Sequence, residues 1–418
     1  KLILLNFHPF TKILFVNKPV RLFPNTVAGV IQGLQETFGD ELYANKVVEQ
    51  LFRDNKKWGK RDRAFIASSI YGIVRHWRKL WAMLDKPEST HIPELYNVFG
   101  VYWLWQENTL PEWTEFEELA NFNLETALAN LPKDIGVIES YPIWLNDLAE
   151  KELGSEWKQI AANLNLPAPV ALRVNTLKSD KNRLKKILQN EGIETFINAS
   201  FPDVLFLEKR PNLKLLDSFN QGLFEVQDAG SQEIGKFLNP QPKTVVIDAC
   251  SGAGGKALQM AALMENTGSI LSLDIYQRKL DEQEKRAKRN KVRIINTEAI
   301  LNEDTILRHK AKADSLLLDV PCSGTGVIRR EPDTKWKLSE ESLAEVISLQ
   351  KEILESHSVM VKPRGTIVYA TCSILKSENE DQVQWFLSKN SDFKLDQEMR
   401  INPGPLSDGF YMARLIKS

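Results

Sequence analysis

Three cysteines occur in the 418 residues, and two of them stand in matching places. Cys322 follows the apolar run "DSLLLDVP" and Cys372 closes the run "GTIVYATCS", so each thiol falls where a strand would end. Asp319 lies three residues before Cys322. A thiolate forms transient bonds to electron-poor carbon, and an acid beside it can supply or hold a proton on the group under attack. Spacing does not say which of the two thiols would attack. Packing cysteines are the plain alternative, and two matched strand-end positions argue against it.

A second constellation lies upstream. The run "VVID" is followed by "ACSGAGGK", which opens a helix. Gly252, Gly254 and Gly255 let the backbone turn tightly and approach a ligand, with Cys250, Ser251 and Ala253 completing the loop. The spacing fits neither a phosphate-binding P-loop nor the dinucleotide pattern G-x-G-x-x-G. Asp274 ends the next apolar run, "SILSLD", 26 residues after Asp248, where a carboxylate can accept from ribose hydroxyls. A ligand with a ribose, no phosphate and a cationic sulfonium suits a Gly loop flanked by carboxylates. S-adenosylmethionine is therefore the expected cofactor. A helix cap is the plain alternative for Asp274. The Cys250 thiol is expected to matter less than its backbone.

The elements that must position these residues follow from patterning. Apolar runs "TVVIDA", "SILSLDI", "VRIINTE", "DSLLLDVP" and "GTIVYATCS" alternate with helical segments, as in a parallel sheet covered on both faces. Ligands of such sheets bind outside the carboxyl ends of the strands, where all the motifs above fall. Residues 22–164 read as helices, with apolar residues at three-and-four spacing in "TVAGVIQGLQETF" and "RAFIASSIYGIVRHWRKLWAML". Eight of the ten tryptophans lie before residue 158, which suits an aromatic core. Between them, residues 165–235 alternate strand, helix and strand as a small α+β module, leaving 236–418 for the catalytic domain. The first 21 residues form an extension to which no role is given.

Composition narrows the class. Hydrophobic content of 43% and charged content of 26% belong to an ordinary globular protein, and the net charge of −1 neither favours nor excludes nucleic acid. The opening apolar stretch is too interrupted by Asn, His, Lys and Pro to span a membrane. Three cysteines make no disulfide framework, and the five histidines lack metal-ligand spacing, so no metal is expected. A cytoplasmic monomer is the expectation. Local charge is less even. Residues 53–63, with Arg75, Arg78 and Lys79, form a basic block, followed by a stretch from Pro87 to Pro132 without Lys or Arg. Residues 276–293 hold eight basic side chains, and "VIRREPDTKWK" adds four. Each could be an RNA footprint or a solvated face, the last placed to grip phosphates around an extruded base.

The motifs "LLLDVPCSGTGVIRREPDTKW", "GTIVYATCSI" with "SENE", "DGFYMARLIK", "ALRVNTLK" and "GLFEVQDAGSQ" resemble the bacterial ribosomal-RNA cytosine-5 methyltransferases of the Sun family. "RDRAFIASSIYGIVR" resembles the NusB-like helical domain that this family carries. The resemblance implies a multidomain architecture: an all-α NusB-like domain, a small α+β module and an α/β Rossmann-like methyltransferase domain with a mostly parallel sheet. It implies Cys372 as nucleophile on carbon 6 of cytosine, Cys322 in product release, and Lys256 in the active-site set near Asp319 or the methionine carboxylate. Asp319 would hold a proton on the ring nitrogen and touch the cofactor. The implied substrate is small-subunit ribosomal RNA; transfer RNA, or a non-catalytic role in RNA assembly, are the alternatives. Ala253 departs from the family's usual Pro. Ile300 stands where the family usually has an Asp for the adenine amino group, leaving Glu298 or backbone to serve.

Overall fold

The structure, a computed structural model, describes residues 21–418, which form two compact units. The expectation for residues 1–21 lies, save for Arg21, outside the described residues.

The first unit comprises residues up to Pro167 together with Ile328–Glu340. Helices Pro24–Phe38, Ala44–Asp54, Lys60–Arg75, Trp77–Leu84 and Ile92–Trp105 bury one stripe each around Val30, Leu34, Ile70, Ile73, Val98 and Phe99. Trp77, Trp81 and Trp103 are core residues. The long helical pattern from Arg63 breaks at His76, whose backbone leaves helical geometry while its ring packs edge-on to Trp105 at 4.8 Å.

Residues 328–340 correct one sequence expectation. They were expected to present cations to phosphate, but they fold into the helical unit. Lys335 is fully buried, donates to the Arg75 carbonyl at 2.8 Å and lies 4.3 Å from the Tyr141 ring centre. Burial, then Arg75, holds its ammonium well below the usual lysine range. Lys337 donates to the Thr37 carbonyl at 2.6 Å, Trp336 Nε1 to the Val74 carbonyl at 2.7 Å, and Arg329 is 2% exposed. Carbonyls inside the unit satisfy Lys335, Trp336 and Lys337, and burial removes Arg329, so of the four cations in this cluster Arg330 alone is exposed. Trp336→Ala is expected to cost the helical unit roughly 3 kcal/mol, since a half-buried indole and its hydrogen bond are both lost. Urea unfolding followed by circular dichroism checks this.

The second unit holds two sheets. The smaller is antiparallel, with strands β1 (Val170–Val174), β2 (Thr195–Asn198), β3 (Phe201–Leu207) and β4 (Phe224–Val226) in the order β2-β3-β1-β4. Helix Lys181–Asn190, capped by the Asp180 side chain on Arg183 N–H, packs Leu184 and Leu188 with Leu172, Leu205 and Phe224.

The larger sheet has seven strands: β5 (Val245–Asp248), β6 (Ser269–Asp274), β7 (Ile295–Ala299), β8 (Ala313–Asp319), β9 (Val361–Thr371), β10 (Phe393–Ile401) and β11 (Phe410–Lys417). Their order is β10-β11-β9-β8-β5-β6-β7. The five strands β5 to β9 pair in parallel and β11 is antiparallel to both neighbours. Helices on both faces explain why β5 and β8 read as continuous apolar runs. Strand order reverses between β5 and β8, and a crevice opens at such a switch point, beyond the carboxyl ends. Asp248 and Asp319 are the last residues of those two strands.

Candidate active site

The Gly loop hangs between β5 and helix Gly255–Leu263. Gly254 takes φ +79°, and a Cβ there would meet Gln283 Cγ at 2.3 Å, so glycine is required by both backbone and space. Gln283 in turn accepts from Ser251 Oγ at 2.7 Å, fixing the loop to helix Gln277–Asn290. Asp274 is buried, and its two oxygens accept from Gly252 N–H and Tyr276 N–H, both at 2.8 Å. It thus splints the loop and fixes the residue that leads into the next helix while keeping lone pairs for a further donor.

Two arginines hold the loop from behind by its carbonyls. Arg286 Nη1 donates to Ala253 O at 2.7 Å, and Arg173 Nη1 donates to Gly255 O and to the Gln227 side chain. Buried Glu225 collects Arg286 at 2.9 Å and Arg289 at 2.5 Å; against the pull of burial these cations keep its carboxyl below the ordinary range. These contacts hold the loop although position 253 is Ala. Arg286→Ala should raise the KM for S-adenosylmethionine about tenfold with little change in kcat, because the arginine orders a binding loop and touches no reacting atom. Steady-state kinetics at saturating RNA measure it.

In front of the loop lies a cavity of about 330 Å³, lined by Gln227, Ser231, Asp248, Cys250, Ser251, Gly252, Gly255, Lys256, Lys279 and Asp319. Of the expected cofactor residues, the cavity thus gathers Cys250, Ser251, Gly252, Gly255, Lys256 and Asp319. Ala253, Gly254 and Asp274 stand behind it. Asp248, Gln227, Ser231 and Lys279 were not expected. Asp248 is 1% exposed, and both its oxygens lack a hydrogen-bond partner. Burial first, and then Asp319, pushes its carboxyl up to about 7. Burial, and then Asp248, likewise pushes the Cys250 thiol up, which keeps it protonated and unreactive.

A buried carboxylate without a partner is costly unless a ligand completes it. The α-ammonium of a methionyl group fits Asp248, and the cations of Lys256 and Lys279 suit a carboxylate. The residues present therefore fit S-adenosylmethionine. Glu298, the stand-in for an adenine contact, is engaged by Arg308 and by His309 Nε2 at 2.8 Å.

At the same edge Lys256 Nζ pairs with Asp319 Oδ2 at 2.5 Å. Burial opposes charge on this lysine, but Asp319, Asp248 and Cys372 hold its ammonium above the usual range. Cys322 Sγ and Cys372 Sγ lie 3.3 Å apart. The contact with Cys372, then burial and the charge of Glu378, pushes the Cys322 thiol well up. The expected chemistry residues Asp319, Lys256, Cys322 and Cys372 are thereby brought to one sheet edge.

The cationic clusters fare less evenly. Arg63, Arg75 and Arg78 donate to carbonyls within the helical unit, and Lys79 lies over Trp105. Arg53, Lys56, Lys57, Lys60 and Arg61 remain exposed. In the second cluster Arg286 and Arg289 are structural, whereas Arg278, Lys285, Lys288, Lys291 and Arg293 are exposed. Among the described residues no group of His, Cys, Asp and Glu is placed to hold a metal ion, and no helix is long and apolar enough to cross a membrane.

A Gly loop, strand-end carboxylates and a cavity at the switch point of this seven-stranded sheet define an S-adenosylmethionine-dependent methyltransferase domain. Residues 235–416 match the family described as 16S rRNA methyltransferase RsmB/F, and residues 141–214 match the ferredoxin-like domain of RsmF/B-like methyltransferases. The chain thus carries domains of the RsmB/F family, as the Sun-family resemblance implied. Ribosomal RNA small subunit methyltransferase B of Proteus mirabilis is 34% identical over 282 residues, covering 66% of this chain and 66% of that protein. The protein of the same name from Salmonella paratyphi A is 32% identical over 285 residues, again 66% of each. The chain thus spans just under two thirds of the length of these relatives. A methyltransferase homologue from Pyrococcus horikoshii superposes with a TM-score of 0.60 at 26% identity, covering 68% of this chain and 98% of that one.

Proposed function

We propose that this protein transfers a methyl group to carbon 5 of a cytosine in small-subunit ribosomal RNA through a transient bond between Cys372 and the base. The observation that carries the reading is the pair of thiols 3.3 Å apart beside the Lys256–Asp319 ion pair. S-adenosylmethionine, when bound, supplies an electrophilic methyl group. Carbon 5 of cytosine is a poor nucleophile until a thiolate adds at carbon 6, which makes carbon 5 enamine-like. Lys256 is a proton source for the Asp319 edge, and Asp319 is the acceptor that orients the protonated ring nitrogen or the exocyclic amine. Cys372 forms the carbon–sulfur bond.

After methylation carbon 5 sheds its proton to solvent and the carbon–sulfur bond breaks. The protonated Cys322 then gives a hydrogen bond to the departing Cys372 thiolate, its neighbour at 3.3 Å, and so assists release. The target base must leave its stack to reach this edge. Bisulfite sequencing of ribosomal and transfer RNA from cells lacking the protein tests the proposal. One 16S cytosine should lose protection and regain it when purified protein and S-adenosylmethionine are added. Loss confined to transfer RNA would replace the substrate, and no loss at all would leave the non-catalytic reading.

A further inference from the structure

Glu378 has no part in the chemistry above, yet it is fully enclosed. Its Oε1 accepts from Ser323 N–H at 2.8 Å and Gln350 Nε2 at 3.0 Å. Its Oε2 accepts from the Ser323 hydroxyl at 2.5 Å and from the Ser373 hydroxyl. Four donors thus occupy the four lone-pair directions of one carboxylate. Two of the three donor residues, Ser323 and Ser373, directly follow Cys322 and Cys372.

The loops that carry the thiols also touch through backbone. Gly326 N–H donates to the Cys372 carbonyl at 2.8 Å, and a Cβ at Gly326 would lie 2.7 Å from that oxygen. Thr325 Oγ1 meets Ser373 Oγ at 3.0 Å and accepts from Ile374 N–H at 3.1 Å. Tyr369, from β9, donates to the Glu378 carbonyl at 2.7 Å and fixes the backbone of the bracket.

We propose that Glu378 is a positioning residue: one buried carboxylate brackets the residue after each cysteine and so holds the two sulfurs in the register that methyl transfer and release require. The proposal rests on the reading of Cys372 as nucleophile and Cys322 as its helper. Glu378 also adds its charge to the causes that keep the Cys322 thiol protonated, after the Cys372 contact and burial. Glutamine keeps the shape of the side chain but removes the charge and turns one acceptor into a donor facing groups that themselves donate, so the side chain still fits while the bracket loosens.

The test is Glu378→Gln, read in two ways. Methyl transfer kinetics should show kcat lowered about 100-fold with the KM for S-adenosylmethionine changed by less than about twofold, the signature of misplaced reacting groups rather than a lost binding site. Alkylation of Cys322 by iodoacetamide, followed by mass spectrometry without RNA or cofactor, should be faster at pH 8, its pH profile moved toward lower pH, as loss of the Glu378 charge and loosening of the sulfur contact both require. A kcat within about twofold of wild type, a KM effect alone, or an unmoved alkylation profile each overturns the bracket. If Glu378→Gln does not fold, Ser373→Ala, which removes a single donor, should lower kcat about tenfold on the same terms. Wild-type protein that leaves ribosomal RNA unmethylated would sink the functional reading, and the alkylation profile would then decide the bracket by itself.

Discussion

On the proposed mechanism, alanine at position 372 is expected to lower methyl transfer by about 10⁴-fold or more, because the thiolate that would make carbon 5 nucleophilic is lost. Alanine at 322 gives a different defect. Addition at carbon 6 and methylation proceed, but the departing sulfur loses the hydrogen-bond donor that sits 3.3 Å away. Cys322→Ala therefore accumulates a covalent protein–RNA species that survives denaturing electrophoresis of labelled RNA, whereas Cys372→Ala forms none. A trapped adduct in the Cys372 variant instead would exchange the two roles. The assignment rests on the Sun-family resemblance, which places the attacking thiol in the T-C-S motif at Cys372; the 3.3 Å contact between the sulfurs serves either order.

The second large effect concerns Asp248. Its carboxyl titrates at about 7 in the ligand-free fold, against 3.8 for a free aspartate. The folded chain therefore keeps a proton that the unfolded chain releases, so stability is lost as pH rises from about 4 through 7, on the order of 4 kcal/mol in all. A bound methionyl ammonium reverses the preference, because it favours the ionised carboxylate. The Kd for S-adenosylmethionine should accordingly fall about tenfold from pH 5 to 6, about fivefold from pH 6 to 7, and level off toward pH 8. Asp248→Asn should raise the Tm of the free protein above pH 7 and weaken cofactor binding roughly 100-fold, since the buried cation loses its partner. Calorimetric titration at several pH values measures both slopes. Equal cofactor affinity in Asp248→Asn and wild type would remove Asp248 from the site.

Strands β5, β6, β8 and β9 could be read from the chain because buried strands of a covered sheet are largely apolar runs, while β7, an edge strand without a buried residue, showed only through the apolar residues at its start. Strand β10 could not, since it is an exposed edge rich in polar residues. The chemistry residues were readable for a related reason: they stand at strand ends, and runs that end are easy to see. Asp248 served in that reading only as a marker of spacing, although it ends a strand as Asp319 does. What distinguishes it is near-complete burial with neither oxygen in a well-formed hydrogen bond, which only coordinates reveal. Cations misled most. A sequence cannot tell whether an arginine faces water or a carbonyl, so Lys335, Lys337 and Arg329 read as phosphate contacts while the fold spends them on its own backbone. Arg286 passed for part of a basic face, and it is a strut of the cofactor loop.

That strut bears on where a working fragment can be cut. Arg173 belongs to β1 and Glu225 to β4, so the small antiparallel sheet reaches the Gly-loop carbonyls directly through one and through Arg286 by the other. A protein trimmed to begin at residue 235, where the family match to the methyltransferase domain starts, keeps every strand-end carboxylate and both thiols. It forfeits the guanidinium on Gly255, the counter-charge that aims Arg286, and the Gln227 and Ser231 wall of the cavity. Any piece that still cradles the methyl donor therefore needs the small sheet, which begins just after Ala168.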